Sequence, residues 1–315
     1  MIKSFYQYMK EKTEEYYTKQ AYIGLDFFTS PELDRTFGYA IGELIFKLLK
    51  DYEKPTILEL GGGNGTLAYD IFSFLETNYP SFFHRVKYLI YEFSPMLKEK
   101  QRERLFSFAQ KVDWVDDIPE ISGFIFSNEF FDCFPVRIIR DGKELYLENG
   151  REVWMPVQDE RAMEYMSRLN MKEKQVAYEV CLDCVDFLKK LSERLKKGYI
   201  FTVDYGYLEQ PPFGTVVGFK GHRMVKDIYS EDIFDITASV NFKALMEYGR
   251  DFGLEVVFFK NQRDFLLSSD TFRKELERLI QGKKMEDIER LSRMKTMLIS
   301  MGERFKVLLQ KKCIL

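Results

Sequence analysis

Four glycines fall within five positions of the stretch ILELGGGNGTLAYDI, which runs from Ile57 to Ile71. An apolar, strand-like run precedes them and a segment with helical spacing follows, so the glycines lie in a strand-to-helix turn. The backbone N–H groups at the N-terminus of such a helix can bind charged or polar groups of a ligand. We therefore predict that a ligand lies close to the backbone of this turn.

The spacing of the glycines distinguishes between classes of ligand. Counted from Gly61, the pattern continues with Gly63 and Gly65, but Thr66 stands where a dehydrogenase fingerprint needs glycine. No Gly-Lys-Ser/Thr sequence follows, so the Walker A pattern fails as well. The order GxGxG, with an acid two residues ahead at Glu59, is typical instead of methyltransferases that use S-adenosylmethionine.

Two further acids follow the next predicted strands. Glu92 ends the run VKYLIYEF, where it is placed to bond to ribose hydroxyls, as an acid does in dinucleotide folds. Asp116 follows KVDWV and could accept a hydrogen bond from an adenine amino group. We predict S-adenosylmethionine as the cofactor and S-adenosylhomocysteine as its product. The predicted cofactor-binding residues are Glu59, Gly61, Gly62, Gly63, Gly65, Thr66, Glu92, Phe93, Ser94, Asp116, Asn128 and Glu129.

The segment SNEFFDCFP supplies two candidate catalytic acids. Glu129 and Asp132 follow Asn128 at the end of the fourth predicted strand, next to the expected position of the reacting sulfur. Glu129 is flanked by apolar residues, a poor place for a purely structural acid, whereas Asp132 has the alternative of bracing the turn into Pro135. Methyl transfer is an in-line displacement that depends mainly on positioning, so no metal site is predicted.

A histidine and the end of the fifth predicted strand complete the predicted site. His222 can accept a proton near neutral pH, and its alternative is a hydrogen-bonded structural role. With Glu129 and Asp132 it makes up the predicted catalytic set. The predicted substrate-binding residues are Asp204, Tyr205 and Tyr207.

Composition is typical of a soluble globular protein. The 315 residues are 45% hydrophobic and 31% charged, and no apolar run approaches the roughly 18 residues of a membrane span. A net charge of −3 argues against broad phosphate neutralisation and hence against a nucleic-acid partner. The start lacks a secretory signal and is too acidic for a transit peptide, so we expect the mature chain to begin at Met1. Four scattered cysteines favour a cytoplasmic location, with Cys181 and Cys184 as buried helix thiols.

Strand-like and helical segments alternate along most of the chain. Further strand-like runs are VKYLIYEF, KVDWVDD, GFIFSNEFFD, GYIFTVDYGY, GTVVGFK and LEVVFFK. This alternation predicts a doubly wound α/β fold with a mostly parallel, Rossmann-like sheet. After the fourth strand, Asp141-Gly142 and Asn149-Gly150 predict type I′ turns in a β-meander, and helices over about 158–197 return the chain to the sheet.

These elements predict five segments. In the first, Ser30 is expected to cap a helix that has Pro31 in its first turn. In the last, about fifty residues are expected to form a charged amphipathic helix packed on the body, because the sustained heptads of a coiled coil are absent. The segments are an N-terminal helical cap (1–50), the cofactor-binding half of the sheet (51–135), an insertion over the active site (136–197), the remainder of the sheet (198–262) and a helical tail (263–315).

The chain resembles the MidA-like methyltransferase family along nearly its whole length. The NEFFD and GHR blocks are not general features of methyltransferases, which makes the resemblance specific. Two departures are Asn241, where relatives usually carry Asp, and FLLSSDTF, which lacks their usual glycine. The blocks that carry the resemblance are FFTSPELDRTFGYAIG (27–42), LELGGGNGTL (58–67), YEFSPMLKEKQRERL (91–105), SNEFFDCFPVR (127–137), VDYGY (203–207), GFKGHRMVKD with DITASVNF (218–242) and MGERFKVL (301–308).

The resemblance implies methyl transfer to arginine of a protein substrate. The family includes the mitochondrial protein-arginine methyltransferase that assists assembly of respiratory complex I. Carboxylates would then have to grip the acceptor guanidinium and take up its proton. Two alternatives stay open, a small-molecule methyltransferase and an assembly factor that binds the cofactor without turnover. The oligomeric state is not predicted.

Overall fold

The structure is a computed structural model that describes residues 2–19, 29–221, 223–230 and 232–313. Its α-helices are α1 (Phe5–Lys19), α2 (Ser30–Leu33), α3 (Thr36–Leu49), α4 (Thr66–Asn78), α5 (Pro80–Arg85), α6 (Pro95–Arg104), α7 (Glu160–Arg168), α8 (Leu182–Arg194), α9 (Phe242–Asp251), α10 (Gln262–Ser268), α11 (Asp270–Gln281) and α12 (Met285–Ile299). Short 3₁₀ turns cover Phe106–Phe108 and Phe131–Cys133.

The β-strands are distributed along the whole described chain. In chain order they are β1 (Ile2–Ser4), β2 (Thr56–Leu60), β3 (Lys87–Tyr91), β4 (Val112–Val115), β5 (Ile121–Asn128), β6 (Arg137–Arg140), β7 (Lys143–Glu148), β8 (Arg151–Pro156), β9 (Tyr178–Val180), β10 (Leu195–Tyr207), β11 (Val217–Lys220), β12 (Arg223–Met224), β13 (Asp235–Thr237), β14 (Val240–Asn241), β15 (Leu254–Asn261) and β16 (Phe305–Lys312).

The larger of two compact units comprises the described residues of 28–128, 191–204 and 253–315. Its sheet has the strand order β15-β16-β10-β5-β2-β3-β4. The five strands from β10 to β4 run parallel, while β15 and β16 are antiparallel to each other. Parallel strands linked through helices form the doubly wound α/β fold that the sequence predicts.

Burial of both faces explains why the central strands are so apolar. In β2, Ile57 and Leu58 point to opposite faces and are both fully buried. In β5, Phe124 and Ile125 are fully buried in the same way. Strands with two covered faces read as continuous hydrophobic runs rather than as alternating ones.

Two glycines of α3 allow close packing against α4. A Cβ atom at Gly38 would lie 2.6 Å from Cβ of Asp70, and one at Gly42 would lie 2.8 Å from the ring of Phe74. Any larger residue would push the two helices apart. Helix packing therefore accounts for both glycines in the sequence block FGYAIG.

The smaller unit comprises the described residues of 1–27, 129–190 and 205–252. In its first sheet, β1, β7, β6 and β9 are neighbours in that order, and β8 pairs with β7. The two hairpin turns contain Asp141 and Gly142 (φ 51° and 73°) and Asn149 and Gly150 (φ 51° and 75°). Positive φ at both central residues confirms the two predicted type I′ turns. A buried cluster beside this sheet contains Ile139, Ala162, Tyr165, Leu169, Val180, Val185 and Ala244.

The strand-like run GTVVGFK does not join the parallel sheet. It contains β11, which pairs antiparallel with β12 and β13 in a three-stranded sheet of the smaller unit. The prediction that placed it among the parallel strands is wrong. A four-residue apolar strand carries no sequence signal of its partner, so its sheet is decided by tertiary contacts.

The C-terminal segment differs from the predicted continuous helix in one element. Helices α11 and α12 form as expected, but residues 305–312 form β16, which pairs antiparallel with β15. Val307 and Leu308 are both fully buried, so this strand is covered on both faces and lacks an alternating pattern. The predicted boundaries of the five segments stay a prediction.

The N-terminal part of the larger unit corrects one capping prediction. Thr29, not Ser30, is the N-cap residue of α2, which has Pro31 in its first turn. The Ser30 hydroxyl instead donates a hydrogen bond to Oε1 of Gln262 (3.1 Å). Over the described ranges, no helix combines the length and the apolar character needed to cross a membrane.

Candidate functional site

Three loops leave the sheet of the larger unit at the same edge. β2 ends at Leu60, whose register partners are Tyr91 of β3 and Ser127 of β5. The strand order reverses at this point, because the chain continues to β3 on one side of β2 while β5 lies on the other. Open α/β sheets bind ligands at the carboxyl edge where such a reversal occurs. The carboxyl ends of β2, β3 and β5 therefore mark the candidate site of the larger unit.

The glycine turn after β2 has a backbone conformation that other residues rarely adopt. Gly61, Gly63 and Gly65 have φ angles of 70°, 52° and 79°, in the left-handed region that favours glycine. The Gly65 N–H donates to the carbonyl oxygen of Gly62 (2.8 Å). Gly65 is also the N-cap residue of α4, so no capping side chain covers the start of that helix. This geometry suits a ligand that meets the helix N-terminus.

Gln101 of α6 is buried directly against this turn. A Cβ atom at Gly62 would lie 3.1 Å from Nε2 of Gln101, and one at Gly65 would lie 3.3 Å from its Cα. Its Nε2 donates to the Gly63 carbonyl oxygen (2.9 Å). A side chain at Gly62 or Gly65 would therefore require the neighbouring residues to shift. Gln101 is not among the residues predicted from the sequence, because one amide within the charged run KEKQRER carries no motif signal.

Glu92 lies immediately after β3 and is 4% exposed. Its Oε1 accepts a hydrogen bond from the Ser94 N–H (2.9 Å), and its Oε2 accepts one from Nε2 of Gln101 (3.2 Å). Burial raises the pKa of Glu92, while these donors oppose the rise. Ser94 caps α6 as predicted, since its Oγ accepts from the Leu97 N–H (3.4 Å). Phe93 between them is 57% exposed.

Glu59, on β2, is buried beneath the glycine turn. It is 2% exposed, and its Oε2 accepts a hydrogen bond from the Tyr88 hydroxyl (2.9 Å). Burial raises the pKa of Glu59 to about 7, and the negative charge of Glu92 adds to the rise. The charge of Glu59 therefore changes near neutral pH.

Two other predicted cofactor residues have protein partners. The Thr66 hydroxyl donates to Oε1 of Glu32 (2.6 Å). Asp116 follows β4, has an 89% exposed side chain and forms an ion pair with Lys98 (2.5 Å). Asp116 is thus a surface acid, whereas Glu92 is an enclosed one.

Glu129 has an unusual backbone conformation at the end of β5. Its φ angle is 51°, in a region that non-glycine residues other than Asn and Asp seldom occupy. Asn128, the last residue of β5, and Glu129 are both half-buried. Such strain persists only where surrounding structure enforces it and is concentrated at functional sites.

Asp132 belongs to a hydrogen-bonded cluster of the smaller unit. It is 4% exposed, and its Oδ2 accepts a hydrogen bond from the Tyr205 hydroxyl (2.6 Å). The hydroxyls of Tyr205 and Thr237 are also hydrogen-bonded (2.6 Å), and the Ala238 N–H donates to the backbone oxygen of Asp132 (2.9 Å). Burial raises the pKa of Asp132 to about 6 against the opposing effect of Tyr205.

The other predicted substrate residues are in different surroundings. Asp204 is fully buried in the larger unit. The Tyr207 hydroxyl donates to Oε1 of Gln210 in the smaller unit, and burial holds its pKa well above the usual value. His222, predicted to be catalytic, lies outside the described residues. Among the residues that the structure does describe, no cluster of His, Cys, Asp or Glu is arranged to hold a metal ion.

The two cysteines of the CxxC sequence are buried, as predicted, but only Cys184 is a helix residue, because α8 begins at Leu182, after Cys181. Cys181 and Cys184 are 9% and 7% exposed. Their thiols contact the backbone oxygens of Pro135 (3.7 Å) and Phe131 (3.6 Å). Both behave as small buried residues of the smaller unit.

A protein family described as "Putative S-adenosyl-L-methionine-dependent methyltransferase" matches residues 40–260 of the chain. The matched part covers the glycine turn, Glu92 and the whole SNEFFD block. The match therefore covers more than half of the chain.

Curated relatives support the match. The mitochondrial proteins named protein arginine methyltransferase NDUFAF7 are 27% identical in Danio rerio (78% of this chain, 68% of that one), 25% in Xenopus tropicalis (75% and 65%) and 27% in Mus musculus (82% and 69%). This chain thus spans about two thirds of the length of these relatives. All three are named as mitochondrial, which contradicts the predicted cytoplasmic location.

Two solved structures share the fold. A protein from Burkholderia thailandensis bound to S-adenosyl-homocysteine superposes with a TM-score of 0.82 at 24% identity, over 99% of this chain and 88% of that one. A native structure of a protein from the same organism gives 0.79 at 24% identity, over 99% and 87%. Numbered along the chain, the seven strands of the larger unit's sheet have the order 3-2-1-4-5-7-6. The predicted doubly wound, Rossmann-like α/β fold is confirmed.

Proposed function

Because this chain belongs to the family of S-adenosyl-L-methionine-dependent methyltransferases, we propose that it methylates arginine side chains of a protein. Membership in the family confirms the predicted cofactor. Methylation of arginine is supported by the names of the relatives and by the acids at the end of β5. A role in assembly of respiratory complex I, which the resemblance implies, is part of the same proposal.

The loops at the carboxyl edge of the sheet fit the cofactor. The glycine turn places no capping side chain at the start of α4, and Glu92 stands one strand away, where the ribose is expected. An ionised carboxylate accepts up to about four hydrogen bonds, so Glu92 can still accept one from a ribose hydroxyl besides those from Phe93, Ser94 and Gln101. The cofactor supplies an electrophilic methyl group on a sulfonium.

Replacing Glu92 with Ala is expected to weaken binding of S-adenosylhomocysteine by about 1.5–3 kcal/mol, the usual contribution of a hydrogen bond to a charged group. Isothermal titration calorimetry measures this change. Asp113→Ala is the matched control, because that exposed acid pairs with Lys87 (3.4 Å), and we expect it to change the affinity by less than about 0.5 kcal/mol. Equal effects of the two variants would show that the ribose site has been misassigned.

Arginine is a demanding acceptor, because its guanidinium has a pKa near 13. Free deprotonation at neutral pH would cost roughly 8 kcal/mol. Transfer to a guanidinium nitrogen forms a C–N bond and releases one N–H proton. Carboxylates that bind the forked N–H groups can orient the nitrogen and accept that proton as the bond forms.

We assign these tasks to Glu129 and Asp132. Glu129 is half-buried and held in a strained conformation, which suits a side chain aimed at an acceptor. Asp132 has a pKa raised by burial to about 6, so at neutral pH it is mostly ionised yet more basic than an ordinary aspartate. Tyr205 positions Asp132 through its 2.6 Å hydrogen bond.

Replacing Tyr205 with Phe is expected to shift the acid limb of the pH–rate profile to higher pH. The Tyr205 hydroxyl favours the ionised form of Asp132, so its removal raises the pKa of Asp132 further above about 6. A base must be ionised to act, so the rate of the variant falls at a higher pH than that of the wild type. Tyr52→Phe is the control, because this tyrosine lies between α3 and β2 of the larger unit, far along the sequence from every member of the cluster. An unshifted limb in the Tyr205 variant would exclude Asp132 as the base.

The proposed function is tested with methyl-labelled cofactor and a protein extract rich in respiratory-complex subunits. Acid hydrolysis of the labelled protein is expected to release methylarginine. Label confined to small molecules would favour a small-molecule methyltransferase. Tight binding of the cofactor without any labelled product would favour an assembly factor.

A further inference from the structure

We propose that Gln101 is a positioning residue that couples the glycine turn to Glu92, so that the two parts of the cofactor site form together. The inference rests on the proposed ribose role of Glu92. Gln101 is fully buried, and it contacts both segments through a single amide nitrogen. It lies outside the glycine motif and is not one of the acids to which the cofactor is assigned.

The orientation of the Gln101 amide is set by Trp114 of β4. The indole Nε1 of Trp114 donates to Oε1 of Gln101 (2.8 Å). An indole N–H can only donate, so the amide oxygen of Gln101 must face it. The amide nitrogen therefore faces the opposite direction, toward the site. Trp114 itself is half-buried, with the guanidinium of Arg102 5.1 Å from its ring centre.

Both hydrogens of the oriented Gln101 amide are used. One is donated to the carbonyl oxygen of Gly63 (2.9 Å) and the other to Oε2 of Glu92 (3.2 Å). The first bond holds the left-handed turn, and the second holds the carboxylate that is expected to meet the ribose. A shift of either segment would strain the bond to the other, because they share one planar group.

Gln101 acts on Glu92 without adding a charge. The titratable groups facing Glu92 are Lys98 of α6, which favours its ionised form, and Glu59 of β2, which opposes it. The Gln101 N–H also favours the ionised form. Its removal leaves the charges in place and takes away one hydrogen bond to the carboxylate. The pH dependence of cofactor binding then reports on this bond.

The test is calorimetric titration of S-adenosylhomocysteine into wild type and Gln101→Met between pH 5 and 9. We expect roughly 10- to 100-fold weaker binding at pH 7.5, from the loss of a hydrogen bond to a charged group. We also expect the pH at which binding is half-lost on acidification to move upward. Gln110→Met, an exposed glutamine outside the site, is the matched control and should bind like the wild type.

Two results would overturn the proposal. Binding by Gln101→Met within twofold of wild type would exclude any positioning role. Weaker binding by the same factor at every pH would show a packing role without coupling to Glu92. If Gln101→Met fails to fold, Trp114→Phe replaces it, because it keeps Gln101 but removes the donor that orients the amide. We expect it to weaken binding about 3- to 10-fold, and unchanged binding would again refute the coupling.

The same experiment separates this proposal from the ribose assignment. If Glu92→Ala binds S-adenosylhomocysteine normally, the ribose role of Glu92 is wrong. If Glu92→Ala weakens binding and Gln101→Met does not, only the coupling fails.

Discussion

Replacing Glu129 with Gln is expected to lower kcat for methyl transfer about 1,000-fold, within the range found for residues that handle a proton in the transition state. The amide cannot accept the guanidinium proton or balance its charge, but it has nearly the same shape. Glu129 is also a predicted cofactor contact, and because an amide still forms hydrogen bonds, binding of S-adenosylhomocysteine should weaken much less than kcat falls. Glu120→Gln, which alters an exposed acid paired with Lys196, should retain wild-type kcat. A Glu129→Gln enzyme with kcat within threefold of wild type would exclude Glu129 from the reaction.

Replacing Glu129 with Gly distinguishes the effect of losing the carboxylate on activity from the effect of relieving backbone strain on stability. Glu129→Gly should be as inactive as Glu129→Gln, because both lack the carboxylate. It should also be more stable by about 0.5–1 kcal/mol, since glycine adopts a φ of 51° without a steric penalty. Asn149→Gly provides the comparison, because asparagine tolerates the same φ in a hairpin turn and should gain less. Thermal unfolding with and without cofactor product measures both variants.

Replacing Gly65 with Ala is expected to weaken binding of S-adenosylhomocysteine by more than about 100-fold. The new alanine must adopt a φ of 79°, and its Cβ atom would lie 3.3 Å from the backbone Cα of Gln101. The neighbour is backbone rather than a flexible side chain, so α6 or the turn must shift by a few tenths of an ångström. That movement displaces the start of α4 and the Gln101 amide, and both contribute to the site. Calorimetry and methyl-transfer assays measure the loss.

Gly150→Ala measures the free-energy cost of the left-handed backbone conformation alone. Gly150 has a similar φ of 75°, but nothing lies within 4 Å of a Cβ atom there. Both variants should lose about 1 kcal/mol of unfolding free energy from the left-handed conformation. Only Gly65→Ala should lose cofactor affinity. A Gly65→Ala protein that binds normally would show that the turn has no part in holding the cofactor.

Local signals in the sequence are enough to predict the glycine turn before α4 and the cap of α6. The glycine spacing, the acid Glu92 after the second parallel strand and the Ser94 cap depend on residues close in sequence. The hairpin turns at Asp141 and Asn149 are predictable for the same reason, because dipeptides that tolerate positive φ specify them. Such features depend on neighbouring residues and not on how the rest of the chain folds.

Features set by distant residues escape prediction from the sequence. Gln101 gains its role only because Trp114 and Gly63 lie against it in the folded protein. The burial of Asp132 depends on Tyr205, more than seventy positions along the chain. The φ of Glu129 likewise leaves no trace in composition or spacing. A single sequence shows which residue types are present, while pKa values and strain arise from what surrounds them.

The position of β16 has a consequence for how the sheet is assembled. This strand lies between β15 and β10, although it is the last element of the described chain. The strands from β2 to β10 can associate during synthesis, but β10 lacks its outer neighbour until residues 305–312 have left the ribosome. β15 pairs with β16, so it also cannot form these hydrogen bonds until β16 has been synthesised. A chain interrupted before residue 305 would thus expose the edge of β10 and leave β15 unpaired, a hazard for aggregation.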